Sequence, residues 1–172
     1  MSEKSIIAYY SRKGENYVNG NIINLMVGNT EVAATMIQKI TGSDIFHIEA
    51  VKQYPKDYTE TTEVAKKELR EDARPELTSK VSNMDSYDVI YLGYPNWWGT
   101  FPMAVSTFLE AYDFSGKTII PFCTHEGSGL GRSESDIKKL CACAKVKKGL
   151  AIKGSNVKTA EKDISYWIKN II

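Results

Sequence analysis

Apolar residues along this chain fall into short unbroken runs that alternate with helical stripes. Asp44–Glu49 is a second, more polar strand candidate; the unbroken apolar runs are Ile6-Ile7-Ala8-Tyr9-Tyr10, Asp88–Gly93 and Thr118–Cys123. Runs of this length and composition predict strands buried on both faces. Between them, Val32-Ala33-x-x-Met36-Ile37-x-x-Ile40 and Val105-x-x-Phe108-Leu109-x-x-Tyr112 have the spacing of one helix face, as does Ile137-x-x-Leu140-Cys141-x-x-Ala144. Val157, Ala160, Ile164, Trp167, Ile168 and Ile171 predict a last helix, with Ser155 or Asn156 as its cap. Thr59–Glu71 is helical by propensity, with a thin apolar stripe, and Pro75 ends it. Asn29 or Thr30 can cap the first helix, and Ser133-x-x-Asp136 has the form of a capping box for the fourth. The fifth strand, Val146–Ile152, is interrupted by Lys147, Lys148 and Gly149. Pro121 weakens the fourth by removing a ladder donor.

Five strands alternating with five helices predict an α/β fold with an open, mostly parallel sheet covered on both faces. Ligands bind such sheets at the carboxyl ends of the strands, where strand order reverses. In the order 2-1-3-4-5 the loops after strands one, three and four lie side by side, and those three are compositionally unusual. The 172 residues suffice for one domain, 1–172, with a full core.

Charge narrows the functional classes. Lys+Arg number 22 against 21 Asp+Glu, so no basic field points to nucleic acid. No apolar stretch approaches membrane-spanning length, and Ile6–Tyr10 is too short for a signal-peptide core, so a cytoplasmic location is expected. Cys123, Cys141 and Cys143 lack metal-site spacing and fit reduced, structural thiols; no metal is expected. His47, inside the second strand, reads as structural.

The three loops carry the candidate chemistry. Ser11, Gly28, Asn29 and Thr30 bring hydroxyls, an amide and free backbone N–H groups to a helix start, a setting suited to a phosphate. Tyr94-Pro95-Asn96-Trp97-Trp98-Gly99 sets two adjacent indoles at the end of the third strand. They can form a wall for a flat ligand, or one can anchor the loop to the core. Thr100 and Pro102 suit the cap and first turn of the helix that follows. Thr124-His125-Glu126-Gly127-Ser128-Gly129 exposes many backbone donors and acceptors. A P-loop is absent, and Gly127-x-Gly129-x-Gly131 fails as a dinucleotide fingerprint because Arg132 stands in the place of its third glycine. One phosphate site, a flat aromatic wall and a polar loop together suit flavin mononucleotide (FMN).

At these residues the chain resembles the flavodoxin family. The likeness rests on Tyr9-Tyr10-Ser11, Gly28-Asn29-Thr30, the Pro-x-Trp-Trp-Gly loop and the Thr124–Gly129 loop, and spans nearly the whole chain. It implies a flavodoxin-like three-layer sandwich around a five-stranded parallel sheet, non-covalent FMN and electron transfer. By that likeness Ser11, Asn29 and Thr30 would bind phosphate. Pro95, Asn96, Trp97, Trp98 and Gly99 would flank the ring, and Thr124, His125, Glu126, Gly127, Ser128 and Gly129 would meet its polar edge. Gly99, or the Trp98–Gly99 peptide, is a candidate backbone switch, since glycine tolerates both orientations. His125, if protonated beside the flavin, would favour the reduced ring. Glu126 is a polar wall or simply solvated.

Two features depart from the family. Lys13–Val27 is inserted between Ser11 and Gly28; its Ile22, Ile23, Leu25 and Met26 suit a flap beside the ligand or a self-stapled surface loop. Arg12 either pairs with phosphate or belongs to this insertion. The net charge of +1 also contrasts with acidic electron-shuttling flavodoxins. The readings are therefore an FMN electron carrier with a redox partner protein or a small acceptor such as a quinone, an FMN-dependent NAD(P)H:quinone-type reductase, and a flavodoxin-like binding domain without flavin.

Overall fold

A computed structural model describes residues 3–172. Its eight strands are β1 (Ser5–Tyr9), β2 (Gly14–Val18), β3 (Asn21–Leu25), β4 (Asp44–His47), β5 (Val89–Pro95), β6 (Thr118–His125), β7 (Lys145–Val146) and β8 (Leu150–Lys153). Its five α-helices are α1 (Asn29–Thr41), α2 (Tyr58–Arg70), α3 (Met103–Glu110), α4 (Ser133–Leu140) and α5 (Glu161–Ile171). The main sheet runs β4-β1-β5-β6-β7, with β8 also paired to β6, and every pairing in it is parallel. With β7 and β8 counted as one interrupted strand, this is the expected 2-1-3-4-5 order.

The continuous apolar runs follow from two separate cores. Alternate residues of a strand face opposite sides. Ile6, Ala8 and Tyr10 therefore join Leu92, Tyr94, Val105, Phe108 and Ile137 on one face. Ile7 and Tyr9 join Ala33, Ile37, Tyr91, Phe122, Ile164 and Ile168 on the other.

The weak fifth strand has a local cause. Ile119 pairs with Val146 and Phe122 with Leu150, so β6 advances three residues while its neighbour advances four. The extra residue makes a bulge opposite Pro121, which has no N–H to offer that side. The N–H of Gly149 in the bulge donates to Glu134 Oε1 at 2.5 Å.

Helix starts differ from expectation. Gly28 is the N-cap of α1, and Ser11 Oγ, from across the chain, accepts the Glu31 N–H at 3.1 Å. Asp57 caps α2 through the Glu60 N–H. Asp72, in a left-handed conformation at φ 49°, stops that helix before Pro75 is reached. The expected capping box does not form: Ser133 Oγ donates to Leu130 O and accepts from the Tyr94 hydroxyl, while Asp136 accepts from Thr100 Oγ1. Residues 154–159 form a 3-10 turn, so α5 starts at Glu161 rather than beside Ser155 or Asn156. Cys123 and Cys141 are buried, as structural thiols should be, whereas Cys143 is exposed. His47 stacks on Tyr9 at 4.9 Å between ring centres.

Gly93 packs directly against its cross-strand neighbour. A Cβ there would lie 2.1 Å from the tip of the fully buried Phe122 ring. Gly93→Ala should destabilise the fold by about 1–3 kcal/mol, as overpacking does. A denaturant titration would show this as a lower midpoint at unchanged slope.

Candidate functional site

The phosphate-type end is built where β1 meets α1. The first N–H groups of a helix have no partner inside it, and its dipole places partial positive charge there. Ser11 Oγ takes the third of these donors, from Glu31, leaving Asn29 and Thr30 at the mouth. The Thr30 hydroxyl is buried and bonded to Thr124 Oγ1 at 2.7 Å, so Thr30 can offer its backbone N–H and not its side chain. Gly28 is required by close approach, because a Cβ would lie 2.1 Å from Ser11 Oγ and 2.7 Å from Arg12 O. A cleft of about 120 Å³ opens here, lined by Ser11, Arg12, Asn29, Thr30, Pro95, Asn96, Trp97, Thr124, His125 and Glu126.

The flat-ligand end adjoins it. A second cavity, of about 340 Å³, is lined by Trp97, Trp98, Gly99 and Ser128, together with Thr61, Thr62 and Ala65 of α2. Arg12, Asn16, Tyr58, Asn96 and Trp97 belong to both linings, so the two spaces abut.

The two indoles have different jobs. Trp97 packs edge-on against Tyr10 at 5.4 Å and Tyr54 at 5.2 Å, and Tyr54 is itself held by a hydrogen bond to Glu68. It anchors the loop while presenting part of its surface to both cavities. Trp98 is 47% exposed, donates its indole N–H to Thr62 O at 2.9 Å, and lies under Lys66 Nζ at 5.1 Å.

Trp98 and Gly99 are the central residues of a tight turn closed by Trp97 and Thr100, at φ 56° and 86°. The Gly99 N–H donates to Asn96 Oδ1 at 3.0 Å, and Gly99 O accepts from Arg132 N at 2.8 Å. Reversing the Trp98–Gly99 peptide would break the Asn96 bond. It would also leave Trp98 at positive φ with a reversed ψ, a region open essentially to glycine alone. Resistance to the expected switch therefore comes from Trp98 and Asn96.

Asn96 joins this loop to the one after β6. Its Nδ2 donates to Gly129 O at 2.8 Å, and its backbone N–H donates to Thr124 O at 2.8 Å. Gly127 and Gly129 shape that loop and do not line either cavity. The Gly127 N–H donates to His125 Nδ1 at 2.9 Å, which fixes the neutral imidazole with its proton on Nε2. Burial lowers the His125 pKa below 6.5, Lys153 lowers it further, and Glu126 opposes them. At neutral pH the ring thus offers an N–H dipole and no charge. Glu126 is neither free nor a simple wall: Oε1 accepts from Ser155 N at 2.9 Å and Oε2 from Asn19 N at 3.1 Å.

The insertion is the largest departure from a plain loop. β2 and β3 form an antiparallel hairpin from Gly14 to Leu25, turning at Asn19-Gly20 with φ 51° and 86°. Asn-Gly between apolar and polar alternations is the strongest short hairpin signal a sequence carries, and it is present in Tyr17-Val18-Asn19-Gly20-Asn21-Ile22. The hairpin brings Asn16 and Tyr17 to the cleft, and α2 brings Tyr58; none of the three was a sequence candidate. Arg12 serves this insertion. Its guanidinium donates to Glu15 O, Pro55 O, Lys56 O and Thr61 Oγ1, tying the hairpin base to α2.

Comparison with known proteins shows the family. A sequence model described as flavodoxin matches residues 22–171. The chain belongs to the flavodoxin family. Among solved structures it is similar to a candidate flavoprotein of Bacteroides eggerthii, at 29% identity and TM-score 0.80, covering 99% of this chain and 98% of that one. A second, from Bacteroides uniformis, is 26% identical at TM-score 0.78 over 99% and 100%. The fold is shared with a Lactobacillus acidophilus flavoprotein solved in complex with FMN, at 20% identity and TM-score 0.66 over 92% and 98%. Comparison with curated proteins gives no match. Among the described residues no helix is long and apolar enough to cross a membrane, and no cluster of metal-ligating side chains occurs.

The His125 geometry gives a pH test. Its folded pKa is depressed below the ordinary 6.5, so protonation favours the unfolded chain. The contribution to stability is complete above 6.5 and falls as pH drops from there through the folded value. Histidine NMR should show His125 titrating below 6.5, and His125→Gln should flatten stability across that acidic window.

Proposed function

We propose that this member of the family binds FMN non-covalently and works as a redox protein. The observation that carries the reading is convergence: the α1 N-terminus, the Trp97–Trp98 turn and the His125–Ser128 loop meet at two abutting cavities. The residues fit the cofactor. Ser11 and the Asn29 and Thr30 N–H groups would hold its phosphate, and the close approach at Gly28 keeps that cradle tight. Trp97 and Trp98 would flank the ring, and the loop from His125 to Ser128 would face its polar edge. The Lactobacillus acidophilus complex, which has the same fold, supports the choice of FMN.

Bound flavin supplies the redox chemistry, and the protein orients it and tunes its electronics. Two of the tuning groups, at His125 and Gly99, are neutral. His125 would offer Nε2–H, and the Gly99 N–H stays on Asn96. Trp98, half exposed, would present an indole face to solvent beside the ring.

FMN titrated into the apo chain should show quenched flavin fluorescence at 1:1 saturation. Ser11→Ala should weaken binding by about tenfold or more, since it removes a hydroxyl at a charged ligand and a helix cap together. Failure to retain FMN on dialysis would leave only a flavin-free binding domain.

A further inference from the structure

The β2–β3 hairpin is stapled at three points that no ordinary surface loop would need. Its base is held by Arg12, whose guanidinium reaches Glu15 O on one side and the start of α2 on the other. Its flank is held by Glu15 Oε2, which accepts the Tyr58 N–H at 2.8 Å, and by Tyr17 stacked on Tyr58 at 6.3 Å. Its tip is held by Glu126, on the far side of the cleft, through the Asn19 N–H. The hairpin therefore runs as a strap from the end of β1 to the loop after β6. The other Glu126 oxygen is fixed by Ser155, and a Cβ at Gly154 would lie 2.6 Å from it. That latch carboxylate is held from the body of the protein and is positioned to receive the strap.

Strap and α2 together wall the cavity assigned to the ring, through Asn16, Tyr58, Thr61 and Ala65. The exposed part of the wall is Trp98, held in place by the Thr62 carbonyl and Lys66. Charge points the same way: net +1 provides no acidic field to steer a basic redox protein onto the site.

Resting on the FMN reading above, we propose that the hairpin sets partner class. It closes the strap side of the site to protein partners and leaves the Trp98 side for a small planar acceptor of the quinone type. Bound FMN in its two-electron-reduced form would supply the electrons: reduced flavin and quinone would give oxidised flavin and hydroquinone, the two protons on the product coming from the reduced flavin and, where it is anionic, from solvent. Glu126 is a positioning residue in this scheme, acting through the strap.

The test uses the FMN-loaded full chain, reduced with dithionite, with 1,4-benzoquinone and ferric cytochrome c as alternative acceptors. Amide hydrogen exchange at Asn19 and Ser155 reports strap opening independently of turnover. The wild type should favour the quinone by at least about tenfold in second-order rate. Glu126→Ala and Tyr17→Ala should speed exchange at Asn19 and raise cytochrome c reduction, so that the ratio of the cytochrome c rate to the quinone rate rises about tenfold. Glu126→Gln, which keeps one acceptor oxygen, should lie between and covers the case of a poorly folding alanine variant. Equal wild-type rates for the two acceptors would overturn the proposal, as would a strap opened by exchange with cytochrome c reduction unchanged. A fall in cytochrome c reduction in Tyr17→Ala would make the hairpin a protein-docking surface and overturn it too. Purified chain that takes up no FMN fails at the earlier reading, and the absence of flavin absorbance identifies that failure before any acceptor is added.

Discussion

The site depends on one amide. Asn96 accepts the Gly99 N–H with its oxygen and donates to Gly129 O with its nitrogen, while its own backbone N–H goes to Thr124 O. A side chain with both a donor and an acceptor in one plane is needed to bridge a turn N–H and a carbonyl from another loop. Aspartate would lose the donor, and serine lacks the reach. Through this bridge the tryptophan turn and the loop after β6 become one rigid unit. The unit is extended by Arg132 N on Gly99 O, Thr100 on Asp136, and Tyr94 on Ser133. Gly131 completes it by proximity, since a Cβ there would lie 2.2 Å from Gly99 O.

Opposite this unit the walls come from parts of the chain that share no sheet pairing with it. Arg12 carries much of that side, because its fork of donors matches carbonyls on the hairpin and at the entry to α2. A lysine could reach one of these acceptors but not span them. The cleft is thus held on one face by an amide and on the other by a guanidinium, each half-buried and each multiply bonded. Such groups are costly to leave unsatisfied, so both loops are pinned more firmly than loop composition alone would give.

Much of the sheet was legible from the chain because strands buried on both faces leave a mark that needs no tertiary context. Ile6–Tyr9 and Val89–Leu92 are unbroken apolar runs for that reason. Pro121 was readable as a disturbance, but its resolution was not: the bulge at Lys147–Gly149 depends on the Glu134 carboxylate arriving from another element. The Ser133 capping signal misled because a buried Tyr94 hydroxyl and the Leu130 carbonyl compete for the serine more effectively than its own helix does. The loops assigned to the phosphate and to the ring do meet, as strand order requires. The hairpin carried a legible turn signal in Asn19-Gly20, yet its contact with Glu126 joins residues 107 positions apart. Pairings of that kind have no local signature. Tyr58 was hidden likewise, since a tyrosine at a helix start is ordinary until the hairpin lays Tyr17 upon it.

Trp98 shows how the site reconciles these constraints. An indole at φ 56° sits in a region that costs an L-residue about 1–2 kcal/mol. Glycine there would relieve the backbone and keep the turn. What glycine cannot supply is the indole N–H on Thr62 O and the ring surface under Lys66, which tie the turn to α2. The strain is therefore borne by contacts that tie the turn to α2, and the same positive φ resists reversal of the next peptide. Wall and switch are competing uses of this turn, and the side chain at position 98 favours the wall.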